Sequence, residues 1–566
     1  MLSPVLLVGA GTREATCGIL YLASYLRRHG VEAFVRLWDG DDTEADVERT
    51  LAALLAHVKP KLVGISLKWF HHLSRARVVA QTIKRLDPSV RVVLGGNSAA
   101  WWWKELAGWS FVDHVVLGDG EAPLLALCRE DPEPPNVVTR RADGTPDRKP
   151  LGYVQGVASE DVYYSHFDQL FLSGLDASCF SGWVAPGKGC GENCLYCGGS
   201  RGIQKASFGR AKPFLRPDEA VQRDHREIVP RTWQLRYDFS GSSGAFLERA
   251  WGGLDLSKHA TTYFLWGVPP KDLVQTLARH FGRVFMVLDI GCFSEKQRLG
   301  LIKLGMLKPC PTDAELFDVI ADCRRYPNLE LEISGIAALP YASAETLAEE
   351  KRLITRLVRD GCTIGYQRLE SQPGALVTEH PARFHMRSEA TRFDEFLRFF
   401  DARGPAVGEG AVPMLRFTDA KLERAVQRTF EELDGMIAEA GERKRHVALT
   451  PGTKLKDVSA ERREVELGAW LGTFRVPAKV AKEKVTIVRS LDGVGLSCAP
   501  SLSARRFEDP SLQQGEEGAA VLAVLDAFAT PKTVDEAVTA LRKRRVPDEV
   551  SHELIDHLVA TRFLAR

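Results

Sequence analysis

The stretch GWVAPGKGCGENCLYCGGSRG, residues 182–202, gathers three of the chain's eleven cysteines within eight residues. Cys190, Cys194 and Cys197 follow the spacing C-x3-C-x2-C, with Tyr196 directly before the third. A structural zinc site takes four Cys or His ligands, commonly as two separated pairs. Here the nearest further thiol, Cys179, lies eleven residues upstream, and the next histidine is His225. Three thiolates on one loop can instead hold three irons of a [4Fe-4S] cluster and leave the fourth iron open to a substrate or cofactor. Zinc stays the alternative. Gly187, Gly189, Gly191, Gly198 and Gly199 let the backbone wrap closely and turn N–H groups toward sulfur.

Around this loop the composition is that of a protein with ordinary buried cores: 566 residues, 45% hydrophobic, 75 Lys+Arg against 74 Asp+Glu. That balance offers no basic footprint for nucleic acid or a membrane surface. No run of about eighteen apolar residues occurs, and the N-terminus has no signal-peptide pattern, so a cytoplasmic protein is expected. The other cysteines stand mostly singly in apolar segments (Cys17, Cys128, Cys292, Cys323, Cys362), as buried free thiols do and disulfide scaffolds do not.

Upstream, residues 1–130 alternate strand and helix signals. VLLVGA, EAFVRLW, KLVGISL, VRVVLGG and HVVLGDG read as strands, and the segments between them carry helical periodicity. This pattern means βαβ units in a Rossmann-like, doubly wound parallel sheet, with ligands beyond the carboxyl ends of its strands. Those ends are Gly9 to Thr12, Ser66 to Phe70 and Gly95 to Ser98. No G-x-G-x-x-G is present, so a dinucleotide site is not supported. Residues 131–175, rich in Pro and charge, read as a linker or surface excursion.

At its cysteine loop the chain resembles the radical SAM superfamily, whose signature has this spacing and an aromatic residue before the third cysteine. The resemblance implies a partial (β/α)6 barrel over 176–378, with Cys190, Cys194 and Cys197 holding the cluster beside Tyr196 and Gly198. LRYDFSGSSG (235–244) is similar to the strand that holds the amino group of S-adenosylmethionine, with Ser240, Gly241 and Ser242 where Gly-Gly-Glu is common. DIGCFS matches the ribose-contacting strand at Gly291 and Ser294, with Phe293 in place of the acid. LELEISGIAALPYASAET resembles the adenine-lining strand, with Leu339, Pro340 and Thr346 in matching places. CTIGYQRLESQPG would close the barrel.

LVGISL, VVLGG and VVLGDGE are in turn similar to the cobalamin-binding domain of cobalamin-dependent radical SAM enzymes. The resemblance places Gly9, Thr12, Ser66, Leu67, Gly95, Gly96, Gly118 and Glu121 at a corrinoid. The D-x-H-x-x-G element is absent, so no histidine of the domain is expected on cobalt. The loop 67–74 comes nearest its lower face, and His71 and His72 are expected to face solvent. The family mechanism implied is reductive cleavage of S-adenosylmethionine to a 5′-deoxyadenosyl radical, hydrogen abstraction from an unactivated carbon, and methyl transfer from cobalamin. The expected protein is a C-methyltransferase of natural-product or peptide biosynthesis. It would take a small-molecule, carrier-bound or peptide substrate and electrons from a flavodoxin or ferredoxin type donor. A radical SAM rearrangement or oxidation enzyme, or a non-catalytic iron–sulfur or cobalamin sensor, is the alternative.

Residues 379–490 read as a helical region whose aromatic stripe belongs to a core. Trp101, Trp102 and Trp103 cannot share one face and are expected to be partly buried at a domain interface. Residues 491–566 hold three short helical patterns, the second opened by Thr533 and Glu536 as a capping box. They are similar to a small winged helix.

Overall fold

Runs such as VLLVG and RVVLG are apolar on both faces, which a parallel strand needs when helices cover both sides of its sheet. The computed structural model describes residues 2–9, 16–37, 43–141, 143–155, 162–166, 169–170, 181–210, 212–231, 234–238, 242–257, 259–403, 412–445, 454–457, 474–475, 488–489, 523–560 and 564–565. The runs become β1 (Val5–Gly9), β2 (Ala33–Arg36), β3 (Leu62–Ser66), β4 (Arg91–Gly95) and β5 (His114–Val116). These five run parallel in the order β2-β1-β3-β4-β5. A hairpin of β6 (Val137–Arg140) and β7 (Pro146–Asp147) continues the sheet antiparallel. It falls in the expected linker, where a short apolar pair, Val137 and Val138, is buried amid polar sequence.

Helices α1 (Thr16–Arg28), α2 (Glu44–Val58), α3 (Leu73–Leu86), the short α4 (Asn97–Trp101) and α5 (Trp103–Ala107), and α6 (Glu121–Cys128) flank the sheet. Local chemistry sets their ends. Thr43 and Asp46 form a reciprocal capping box at the start of α2, and Lys59 ends it in the left-handed region. Of the three tryptophans only Trp102 is buried, against Phe393 and Phe396.

The second sheet begins at β8 (Ser181–Trp183); a ribbon of β9 (Gly187–Lys188) and β10 (Phe214–Leu215) follows it. Then come β11 (Gln234–Tyr237), β12 (Ala260–Trp266), β13 (Arg283–Asp289), β14 (Leu329–Ala337) and β15 (Thr363–Arg368). β8 and β11 to β15 lie side by side in chain order, all parallel. Helices α7 (Arg201–Phe208), α8 (Asp218–Ile228), α9 (Gly244–Trp251), α10 (Leu273–His280), α11 (Glu295–Lys303), α12 (Asp313–Cys323) and α13 (Ala344–Arg359) connect them into a partial (β/α)6 barrel. Leu235, Tyr237, Tyr263, Leu265, Met286, Leu288 and Ile333 enter the core with Trp251, Leu277, Ile320 and Ile354 of the helices. Alternation then turns Arg236, Phe264, Val287 and Glu332 to the barrel interior.

Beyond the barrel lie α14 (Leu376–Glu379), the antiparallel pair β16 (Met386–Ser388) and β17 (Leu415–Phe417), α15 (Phe393–Asp401) and α16 (Ala420–Arg445). α15 returns to the N-terminal domain, packing Phe396 and Phe400 on Phe70 and placing Asp401 against Ser74 and Arg77. Further on are β18 (Lys454–Asp457), the pair β19 (Phe474–Arg475) and β20 (Val488–Arg489), β21 (Lys532–Thr533), α17 (Val534–Lys543), α18 (Asp548–Ala560) and β22 (Leu564–Ala565). Thr533 and Glu536 form the expected capping box. β18 pairs with both β21 and β22, so this terminal unit draws a strand from upstream of residue 491. Among the described residues no helix is long and apolar enough to cross a membrane.

Candidate active site

The cysteine loop leaves the carboxyl end of β8 and is pinned from two sides. Leu195 N–H donates to Met306 O (2.8 Å), and Leu195 O accepts from Val377 N–H (3.0 Å). Each of its three sulfurs accepts one backbone N–H: Cys190 from Glu192 (3.4 Å), Cys194 from Lys308 (3.3 Å) and Cys197 from Gly199 (3.3 Å). All three thiols are free. Burial pushes the Cys194 thiol up and the Cys197 thiol up to about 12, so their ionised forms call for a positive partner. Gly198 donates to Gln372 Oε1 (3.0 Å), and a Cβ there would stand 2.7 Å from Pro373 O. Among the described residues, no three His, Cys, Asp or Glu side chains converge on a point that one metal ion could occupy.

Beneath the loop, Lys308 Nζ donates to Asp289 Oδ2 (2.8 Å) and to the Tyr196 hydroxyl (3.3 Å). Burial works against its charge, but Asp289, with Cys310 and Cys194, holds the Lys308 ammonium above its ordinary range. Asp289 Oδ1 also accepts from Gly291 N–H (2.7 Å). Gly291 has φ +78°, and Leu307 would meet a Cβ there at 2.9 Å. Ser294 is fully buried; its hydroxyl accepts from Gln297 N–H at the start of α11 and donates to Glu349 (2.6 Å). Phe293 is likewise buried, its ring seated where Gly335 has no side chain, 2.7 Å from where a Cβ would stand. Leu339 packs in the cluster of Cys194, Leu195 and Tyr196, and Thr346 caps α13 with Ser343. Ser242 is buried beside the Tyr263 phenol. Ser240 and Gly241 lie outside the described residues.

In the N-terminal sheet, Gly9, Ser66 and Gly95 stand side by side at the carboxyl ends of β1, β3 and β4. Gly96, at φ +111°, would place a Cβ 2.7 Å from Leu67 O, so only glycine lets the chain turn there. Thr12 lies outside the described residues. The expectation that His71 and His72 face solvent fails for His72, which is 5% exposed, with both ring nitrogens buried and unpartnered. The 3-10 turn Phe70–His72 seats Phe70 against α15 and carries His72 inward. Burial holds His72 well below its usual pKa and therefore neutral.

The carboxyl ends of the two sheets face each other. Lys68, after β3, reaches over the Trp183 ring at the end of β8 (4.9 Å), which Arg236 covers from the barrel interior (4.1 Å). Arg236 also lies over Phe264 (4.6 Å). Beside this meeting, Asp119 takes Arg210 through both oxygens (2.7 and 2.5 Å) and accepts from Gln155 N–H (2.9 Å). Glu121 faces Lys188 Nζ at 3.5 Å, and Lys188 also donates to the Gln155 side chain.

Residues 4–128 match the B12 binding domain family. The architecture over most of the chain is similar to a structure of the radical S-adenosylmethionine methyltransferase TsrM from Kitasatospora setae with tryptophan substrate and a SAM analogue bound. The identity is 15%, over 79% of this chain and 91% of that one, with a TM-score of 0.59. A TsrM structure with cobalamin and a [4Fe-4S] cluster bound matches at 16% identity over 76% and 91%, with a TM-score of 0.55. The chain has the fold of the cobalamin-dependent radical SAM enzymes. No curated protein matches it.

Within this cobalamin-dependent radical SAM fold, sequence reasoning missed Asp289, Lys308, Arg210 and Lys188. Only Lys308 left a signal, as a charge inside the otherwise apolar GMLKPCP. The Glu121 carboxylate, expected at the corrinoid, faces Lys188 Nζ.

Proposed function

We propose that the chain is a cobalamin-dependent radical SAM methyltransferase that methylates an unactivated carbon in natural-product or peptide biosynthesis. The observation that carries this reading is the cysteine loop itself. It offers three sulfurs with one backbone N–H each, opposite the carboxyl edge of a sheet that matches a B12 binding domain. Three thiols with N–H donors suit a [4Fe-4S] cluster. The close approach of Gly96 to the Leu67–Lys68 backbone, at the carboxyl edge where Gly9, Ser66 and Gly95 lie side by side, is compatible with a corrinoid laid across that edge. Cys190, Cys194 and Cys197 would hold the cluster, and Gly9, Ser66, Leu67, Gly95, Gly96 and Gly118 would line the corrinoid, with Thr12 and Glu121 nearby. Ser240, Gly241, Ser242, Gly291, Ser294 and Leu339 remain assigned to S-adenosylmethionine, with Ser294 acting through the start of α11, which it caps.

When bound, the cluster supplies the electron that cleaves S-adenosylmethionine, and cobalamin carries the methyl group. The chain positions and shields. Lys308 and Asp289 hold Tyr196 of the cysteine loop in place, and Trp183 and Phe264, stacked with Arg236, bring aromatic rings to the meeting of the two sheets, where an aromatic small molecule would pack. TsrM has tryptophan bound, which makes tryptophan and other indoles the first substrates to try. A carrier-bound or peptide substrate, an electron donor of flavodoxin or ferredoxin type and a cytoplasmic setting complete the proposal.

The test is turnover with S-adenosylmethionine carrying a deuterated methyl group. The expected result is a product heavier by an intact CD3 group, with 5′-deoxyadenosine and S-adenosylhomocysteine formed in roughly equal amounts. Turnover that yields 5′-deoxyadenosine while S-adenosylhomocysteine stays at background and no label enters the product would overturn methyl transfer.

A further inference from the structure

The cysteine loop is bracketed by two cations, and both are held by acids of the other domain. Lys188 lies two residues before Cys190, in β9; Arg210 closes the segment after α7, which starts four residues beyond Cys197. Asp119 and Glu121 flank Gly120 where β5 gives way to α6, at the carboxyl edge where ligands of such a sheet bind. The four side chains are 8% exposed or less, except Lys188 at 21%. Two acids meet two cations, and Gln155, itself 1% exposed, ties the pairs together through its backbone N–H to Asp119 and its side chain to Lys188.

The surrounding backbone is shaped to this arrangement. Gly189 sits at φ +88°, and a Cβ there would meet Arg210 Cδ at 2.9 Å, so the residue next to Cys190 is glycine because the guanidinium stem passes over it. Gly118, at φ +70°, makes the left-handed turn that brings this segment into contact with the Ser207 and Phe208 backbone of α7. Asn136 fastens the strap that carries Gln155, accepting from Gly152 and Tyr153 N–H and donating to Tyr153 O.

We propose that Asp119 and Glu121 are positioning residues: a clasp on Arg210 and Lys188 through which a ligand on the N-terminal sheet and the metal cluster on the cysteine loop stabilise one another. The inference rests on the corrinoid and cluster assignments above. A corrinoid that orders the Gly118–Glu121 turn also fixes both ends of the cysteine loop, because buried ion pairs of this kind are costly to separate. Coupling between two sites is reciprocal, so each ligand must strengthen the other by the same factor.

The test uses the full chain with hydroxocobalamin as probe. Hydrogen exchange is followed in peptides covering 187–199 of cluster-free protein, and corrinoid affinity is compared between cluster-loaded protein and the cluster-free Cys190→Ala/Cys194→Ala/Cys197→Ala variant. Native protein is expected to show about tenfold slower exchange in 187–199 on corrinoid binding, and about tenfold tighter corrinoid binding with the cluster present. Arg210→Gln should lose both effects while still binding corrinoid, and Arg210→Lys should keep them. Should Arg210→Gln not fold, Lys188→Gln, at the more exposed pair, carries the same comparison. Corrinoid binding with no change in 187–199, or an unchanged gain in the severed variants, overturns the clasp and leaves the methyltransferase reading standing. Failure of native protein to bind any corrinoid overturns both.

Discussion

Tyr21 of α1 and Asp224 of α8 join the two domains through a network that can be cut one atom at a time. Asp224 is fully buried; its Oδ2 accepts from the Tyr21 hydroxyl (2.7 Å) and Arg216 Nη1 (2.7 Å), and its Oδ1 from Tyr164 N–H (2.7 Å). The Tyr21 ring stacks on Tyr164 at 4.2 Å, a contact that phenylalanine would keep. Tyr21→Phe therefore removes the hydrogen bond to a charged acceptor, together with the longer ones that the hydroxyl accepts from Arg216 Nη1 (3.2 Å) and Ala185 N–H (3.3 Å), and should cost about 2 kcal/mol. Asp224→Asn leaves the Arg216 guanidinium, with its side chain 2% exposed, without its counter-charge in the interior, though still donating to Ala185 O and Val162 O, and should cost about 4 kcal/mol. Once Asp224 is neutral the phenol has less to donate to, so the double variant should fall short of additivity by at least about 1 kcal/mol. Guanidinium unfolding followed by tryptophan fluorescence measures all four proteins. Additivity within about 0.5 kcal/mol would mean that the residues are independent, and the network account would fail.

Glu350 of α13 is buried with Oε1 unpartnered, and burial raises its carboxyl to about 7, opposed by its hydrogen bond with Tyr366 and by Arg368. The folded protein thus holds this proton more tightly than the unfolded chain, so stability should fall as pH rises from about 4.5 to about 7, by about 3 kcal/mol. Glu350→Gln should remove that component, which thermal unfolding of the two proteins across this range would show; identical pH profiles would rule it out. Gly96→Ala forces a Cβ to 2.7 Å from Leu67 O at φ +111°; it should cost at least about 1 kcal/mol and abolish retention of hydroxocobalamin through gel filtration. Unchanged retention would place the corrinoid elsewhere.

What the sequence revealed and what it hid divide along a physical line. The cysteine spacing, the alternation of strands with helices and the Thr533–Glu536 capping box are local patterns, readable because their geometry repeats within a few residues. Asp119 and Arg210 lie 91 residues apart in the chain, and nothing in either neighbourhood marks the partner. Phe293 looked like a missing ribose ligand; it is a core residue filling the space over Gly335. His72 was legible only as a polar loop residue, since its burial depends on α15, more than 300 positions downstream. The short β18 has no period long enough to read, and its partners β21 and β22 are far along the chain.

The central claim is that Cys190, Cys194 and Cys197 hold an iron–sulfur cluster facing a corrinoid domain. Anaerobic reconstitution with iron, sulfide and hydroxocobalamin, followed by metal, sulfide and corrinoid counting on the desalted protein, tests it most directly. The account predicts about four irons, four sulfides and one corrinoid per chain in the native protein. The variant with all three cysteines changed to Ala should hold the corrinoid but no iron. Tightly bound zinc with no iron-dependent absorbance, or iron that survives loss of the three thiols, would contradict it.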